Sequence, residues 1–203
     1  MNALGKGSIA SIIRVALLVA WIGLWVAAAI LAVIVVVYSI ILVLIGAGMI
    51  DASLLEGGAG NIRLDGGRGG GDFHVTYDQP GGATWPVAVP ALLIGAVAIA
   101  GALVIVWRLR RLFESFSSGE PFRRENAHHL RAIWITMLAI EIARYLLMAL
   151  TGVLLSVYGG PDVEANYTLT VDLSTWGSIL ILIVLAEVFR EGSRLKEEQE
   201  LTI

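Results

Sequence analysis

Cysteine is absent from this chain of 203 residues. Its absence removes a disulfide framework, a thiolate nucleophile and any cysteine-ligated metal. Charge is also scarce, at 15% Asp, Glu, Lys and Arg, whereas soluble domains carry about 25%. The few histidines are His74, His128 and His129. The latter two are adjacent, about 100° apart on a helix, so they do not ligate one metal together. With no Ser/His/Asp set and no phosphate-binding loop, no catalytic residue, metal or cofactor is assigned, and an enzyme is not expected. What the chain does have is apolar sequence, 57% of its residues being hydrophobic, with a mean hydropathy of +0.81. These residues come in long blocks. A hydrocarbon core about 30 Å thick is crossed by about 20 apolar helical residues, and four blocks reach that length.

The predicted fold class is an all-α membrane protein with four transmembrane helices and a small extracytoplasmic β-sheet cap. One membrane domain, 1–203, holds spans at about 12–50, 87–107, 132–158 and 173–189. The outer loops are 51–86 and 159–172, the inner loop is 108–131 and the inner tail is 190–203. The first block is long enough for two crossings. Its middle, WVAAAILAV (Trp25 to Val33), offers no turn-forming residue, and an unsatisfied turn does not survive in lipid. It therefore reads as one long helix with Lys6 and Arg14 at the inner surface. The apolar sequence after Ala27-Ala28-Ala29 argues against a cleaved leader.

Charge sets the orientation. Arg108, Arg110, Arg111, Arg123, Arg124 and Arg131 lie between the second and third blocks, and Arg190, Arg194 and Lys196 come after the fourth. The other two connections hold Arg63 and Arg68 beside Asp51, Glu56, Asp65, Asp72, Asp78, Asp162 and Glu164. Short loops rich in Lys and Arg stay cytoplasmic, so both termini are expected inside, in a multi-pass protein of the cytoplasmic membrane. Outside, Ile62–Asp65, Phe73–Tyr77 and Tyr167–Val171 alternate like strands around glycine-rich turns. Three such strands are expected to form a small sheet over the outer mouth.

On the inner face, LFESFSSGEPFRRENAHHLRAIW (Leu112 to Trp134) reads as a surface helix, a turn at Gly119-Glu120-Pro121, and a basic approach to the third span. Pro121 suits the first turn after a break. Phe122 is expected to pack under Phe113 or Phe116. The arginines would sit at headgroup depth, where each contributes about 1 kcal/mol of attraction to anionic lipid. The closing run AEVFREGSRLKEEQELTI (Ala186 to Ile203) is a charged helix with an apolar end at Leu201 and Ile203. Packing against the inner turn or against a partner would explain that end.

These two stretches resemble the bacterial membrane proteins grouped as domain-of-unknown-function family 2975. The resemblance is carried by Gly119, Pro121, Phe122, Glu125 and Asn126, then by Phe189, Gly192, Leu195 and the final Leu201-Thr202-Ile203. It covers spans two to four; the first helix and the glycine-rich outer loop are more individual. It implies a four-helix protein of the bacterial inner membrane without assigned chemistry. It also implies, as a partner, a small cytoplasmic helix-turn-helix regulator of the kind whose gene often neighbours such proteins.

One intramembrane feature stands apart. In MLAIEIARYLLMAL (Met137 to Leu150), Glu141 and Arg144 stand three residues apart within apolar sequence. A lone charge at that depth costs at least about 2.5–3.5 kcal/mol, and the spacing places both on one helix face, acid before base, in the favourable order. Tyr38 and Ser39 of the first span fall at comparable depth and are the expected hydrogen-bond partners. The pair either fixes helix register or forms a polar site for a small solute or proton. Two functions are compatible with these features. A regulatory, sensor or scaffold protein would use the inner turn and tail as a docking surface without touching nucleic acid. A small-solute or proton transporter or channel would use the charged pair, with oligomerisation to complete the path.

Overall fold

The computed structural model describes residues 9–50, 61–64, 73–77, 85–117, 124–158, 163–167 and 173–200. Four helices dominate: α1 (Ile9–Gly46), α2 (Trp85–Ser117), α3 (Arg124–Tyr158) and α4 (Leu173–Glu200). Each is long and apolar enough to cross a membrane. In lipid the helix satisfies its own backbone, which lets β-branched runs such as VIVVV (Val33 to Val37) remain helical.

Helix α1 is continuous through the stretch WVAAAILAV, as a single crossing requires. It ends at Gly46, short of the expected residue 50, and its end explains why. Gly48 adopts φ +68°, its N–H donates to the Ile45 carbonyl at 2.9 Å, and the Met49 N–H donates to the Leu44 carbonyl at 3.0 Å. This double bond pattern is a Schellman cap, built on a left-handed residue that glycine adopts without a Cβ penalty. The half-buried residues of α1 include Ile13, Leu17, Trp21, Leu24, Ala28, Leu31, Tyr38, Leu42 and Ile45. Their steps of three, four and seven mark one seam that packs, while most of the other described residues of the helix are exposed and apolar.

Helix α2 opens with Pro86 in its first turn, where a missing N–H costs nothing, and Pro90 is accommodated one turn later. The expected separate surface helix at Leu112 does not exist as such. The second helix runs unbroken from Trp85 to Ser117, because nothing between Trp107 and Ser117 breaks the helical pattern. Helix α3 likewise begins at Arg124, with Glu125 in the first turn complementing the helix dipole. Helix α4 carries the tail as far as Glu200.

Three short strands, β1 (Asn61–Leu64), β2 (Phe73–Tyr77) and β3 (Val163–Tyr167), pair antiparallel in the order β1-β2-β3. The third strand lies earlier than the expected Tyr167–Val171. Tyr167 pairs with Phe73 at one end and Val163 with Tyr77 at the other, so the β2 ladder is used up by Val163–Tyr167. The strands pair with one another, and the expected cap over the outer mouth is not supported.

The chain divides into two compact units, Met1–Ala28, Ala98–Glu141 and Gly177–Ile203 in one, and Ala29–Val97 and Ile142–Trp176 in the other. The first contains the start of α1, the end of α2, the start of α3 and most of α4. Its core is Leu112, Leu130 and Ala186, with Phe116, Trp134, Leu182 and Phe189 packed against it. In the second unit Val87, Thr151 and Leu155 are buried, and Trp85 and Tyr158 meet ring to ring at 5.1 Å.

Candidate functional site

The family-like residues assemble at the arginine-rich ends of α2, α3 and α4. Asn126, two residues into α3, is 1% exposed. Its Nδ2 donates to Ser115 Oγ on α2 at 2.9 Å. A buried amide without such a bond would cost about 1–3 kcal/mol, so this one fixes how α2 and α3 approach. Phe189 of α4 stacks edge-on against Phe116 of α2 at 5.8 Å, and Phe113 lies 6.3 Å from Phe116. The Asn126–Ser115 bond and this aromatic cluster thus join three helix ends. Ser193, also buried, donates to its own helix at the Arg190 carbonyl, 2.8 Å away. Gly192 is half-buried beside it.

Around this junction the surface is charged. Arg124 approaches Glu197 at 3.6 Å, tying the start of α3 to the tail of α4. Glu187 pairs with Arg190, Glu191 with Arg194, and Arg111 with Glu114. These are exposed pairs, each worth about 0–1 kcal/mol. Arg108 Nη1 lies 3.2 Å from His129 Nδ1, which requires that nitrogen to be an acceptor and puts the ring proton on Nε2. Between α2 and α3 a cavity of about 550 Å³ opens onto Glu125, Asn126, Ser115 and His128. Leu195 remains 49% exposed. Gly119, Pro121 and Phe122, and the final Leu201, Thr202 and Ile203, lie outside the described residues, as does the expected packing of Phe122.

The matching family profile, described as a protein of unknown function (DUF2975), covers residues 76–203. The chain belongs to the DUF2975 family. That match takes in β3, the end of β2 and all of α2, α3 and α4, and leaves α1 outside. No curated protein and no solved structure shows a match. Within this DUF2975 protein, Asn126 and Phe189 therefore act as joints of the helix ends, while Glu125 and Leu195 face outward.

The charged pair sits elsewhere. Glu141 stands at the midpoint of α3, 17 residues from Arg124 and 17 from Tyr158. It and Arg144 are both half-buried. The Arg144 guanidinium lies 5.1 Å from the Tyr145 ring centroid, a neighbour that the residue spacing alone did not single out. Tyr38 has a buried hydroxyl. Ser39 is exposed and donates to the Val35 carbonyl of its own helix at 2.7 Å. Thr136 and Thr151 do the same, at 2.7 and 2.8 Å. This is how hydroxyls are commonly satisfied inside a membrane helix.

Tryptophans mark both ends of the apolar part of α2, a signal present in the sequence that block length alone does not use. Trp85 and Trp107 are 22 residues apart, about 33 Å of helix, which matches the hydrocarbon thickness with its aromatic belts. Arg108 and Arg111 lie 4.7 and 6.0 Å from the Trp107 ring, and Arg110 lies 5.8 Å from Trp21.

Proposed function

We propose that this DUF2975 protein is a membrane-embedded regulatory or scaffold protein whose arginine-rich end faces the cytoplasm and docks a soluble partner. The observation that carries this reading is the use of the family residues. Asn126 and Phe189 hold three helix ends together around a fixed platform, and Glu125, Leu195 and the charged tail of α4 are left on its surface. A rigid platform with an exposed apolar residue among charges is what recognition of a folded partner requires. The asymmetry of arginine supports the inward orientation. A small helix-turn-helix regulator, the partner that the resemblance implies, is the candidate occupant of this end. No catalytic role is proposed.

Purification from native membranes tests this. The wild-type chain is expected to enrich one cytoplasmic protein, and Leu195→Glu to lose it while retaining helical content. Equal recovery by both, or no enriched protein, contradicts the docking surface.

A second reading, transport of a small solute or proton, is favoured by the half-buried Glu141 and Arg144 at mid-helix. Solute or proton flux in liposomes that disappears in Glu141→Gln would establish it in place of docking.

A further inference from the structure

Between α3 and α4, inside the unit that holds the arginine-rich ends, lies a cavity of about 580 Å³. On α3 its lining runs along one helical stripe, Arg124, His128, Arg131 and Trp134, and on α4 along another, Ile183, Glu187 and Arg190. Steps of three, four and seven keep each stripe on one helix face. The stripes are graded. Arg124 and Trp134 are ten residues apart, about 15 Å of helix, and Ile183 and Arg190 seven, about 10 Å. Arg124 and Arg190 therefore lie at one end, and Arg131 stands between that end and the apolar one, three residues from Trp134. Trp134 and Ile183 line the other end. Such a slot offers cation to a phosphate and an apolar wall to a hydrocarbon chain attached to it.

The charges within it are not balanced internally. Arg190 is paired with Glu187, which also lines the cavity, and Arg124 with Glu197 at 3.6 Å. Arg131 is exposed and makes no ion pair among the described residues. Among the described residues of the lining one arginine is thus left over, three residues from Trp134. Basic pockets between membrane helices take anionic lipid headgroups, and Arg suits a phosphodiester because its fork donates two parallel bonds.

We propose that this cavity is a binding site for one anionic glycerophospholipid, with Arg131 on the phosphodiester, Arg124 and Arg190 flanking it, and an acyl chain leaving along Trp134 and Ile183. A soluble phosphate would use the arginines but gain nothing from the apolar end. The site needs only that the four helices lie in a bilayer, and it stands whether or not this end of the molecule docks a protein.

The full chain is purified in nanodiscs containing equal phosphatidylglycerol and phosphatidylcholine, and the lipid retained after transfer to detergent is counted by native mass spectrometry. The wild-type chain is expected to retain phosphatidylglycerol preferentially. Arg131→Gln is expected to lower that retention about fivefold, the equivalent of about 1 kcal/mol for one basic residue at the headgroups. Arg131→Lys should keep part of it, and Arg14→Gln, on α1, all of it. Ile183→Trp, which fills the apolar end and leaves every charge in place, should also release the lipid. Equal retention of the two lipids, or equal losses in Arg131→Gln and Arg14→Gln, would overturn the site. So would Arg131-dependent binding of inorganic phosphate without retained lipid, which would mark a soluble-anion site instead.

Discussion

A single buried amide, Asn126, couples two helices of this molecule. It is visible in the sequence as part of a motif, but its partner is not. Ser115, Ser117 and Ser118 stand close together in ESFSS, and nothing in that run says which one faces α3. Geometry selects Ser115, at 2.9 Å. Asn126→Ala should lower unfolding stability by about 1–3 kcal/mol, measured by denaturation in detergent. In a double-mutant cycle, Asn126→Ala with Ser115→Ala should cost less than the two singles added together, since both remove the same bond. Glu141 and Arg144 pose the opposite case, because their spacing is legible at once. Breaking a buried pair costs about 3–5 kcal/mol, whereas replacing both members by apolar residues is often neutral. Glu141→Leu and Arg144→Leu are each expected to lower the melting temperature, and the double variant to recover most of it. Two single variants as stable as the parent would show that neither charge depends on the other.

The helices are legible as apolar blocks, but their ends are not, because hydropathy fades gradually where caps act locally. The first helix stops at a Schellman cap that requires Gly48 at φ +68°. Gly48→Ala should therefore cost about 1–2 kcal/mol, the penalty of a side chain in the left-handed region, although nothing lies within 4 Å of an added Cβ. The extension of α2 through Ser117 escapes a hydropathy reading because Arg108, Arg110 and Arg111 end the apolar run without ending the helix. Small residues in α2 suggest close packing, and the two glycines differ. A Cβ on Gly101 would lie 2.3 and 2.6 Å from Ile140 side-chain carbons, whereas one on Gly95 would lie 3.7 Å from Leu31. Gly101→Ala is expected to cost about 1–3 kcal/mol by overpacking, and Gly95→Ala to be neutral or stabilising. Thermal unfolding of the two variants side by side checks the distinction.

For the whole molecule, the number of crossings comes from block length, and the continuity of α1 from the lack of any turn-forming residue between Trp25 and Val33. Charge placement locates the arginine-rich end, where the described family residues converge. The sequence could not reveal the three-helix junction or the cavity between α3 and α4, because both arise from which helix faces meet. Stripes such as Arg124, His128, Arg131 and Trp134 become a lining only when α4 supplies Ile183 and Arg190 opposite. Both the docking surface and its partner depend on one claim, that this end lies in the cytoplasm with both termini beside it. The absence of cysteine makes that claim directly measurable with single engineered thiols and a membrane-impermeant maleimide. Gly69→Cys should label in intact cells, and Asn2→Cys and Lys196→Cys only after the membrane is opened. Labelling of Asn2→Cys and Lys196→Cys from opposite sides, or of both from outside, would contradict the account.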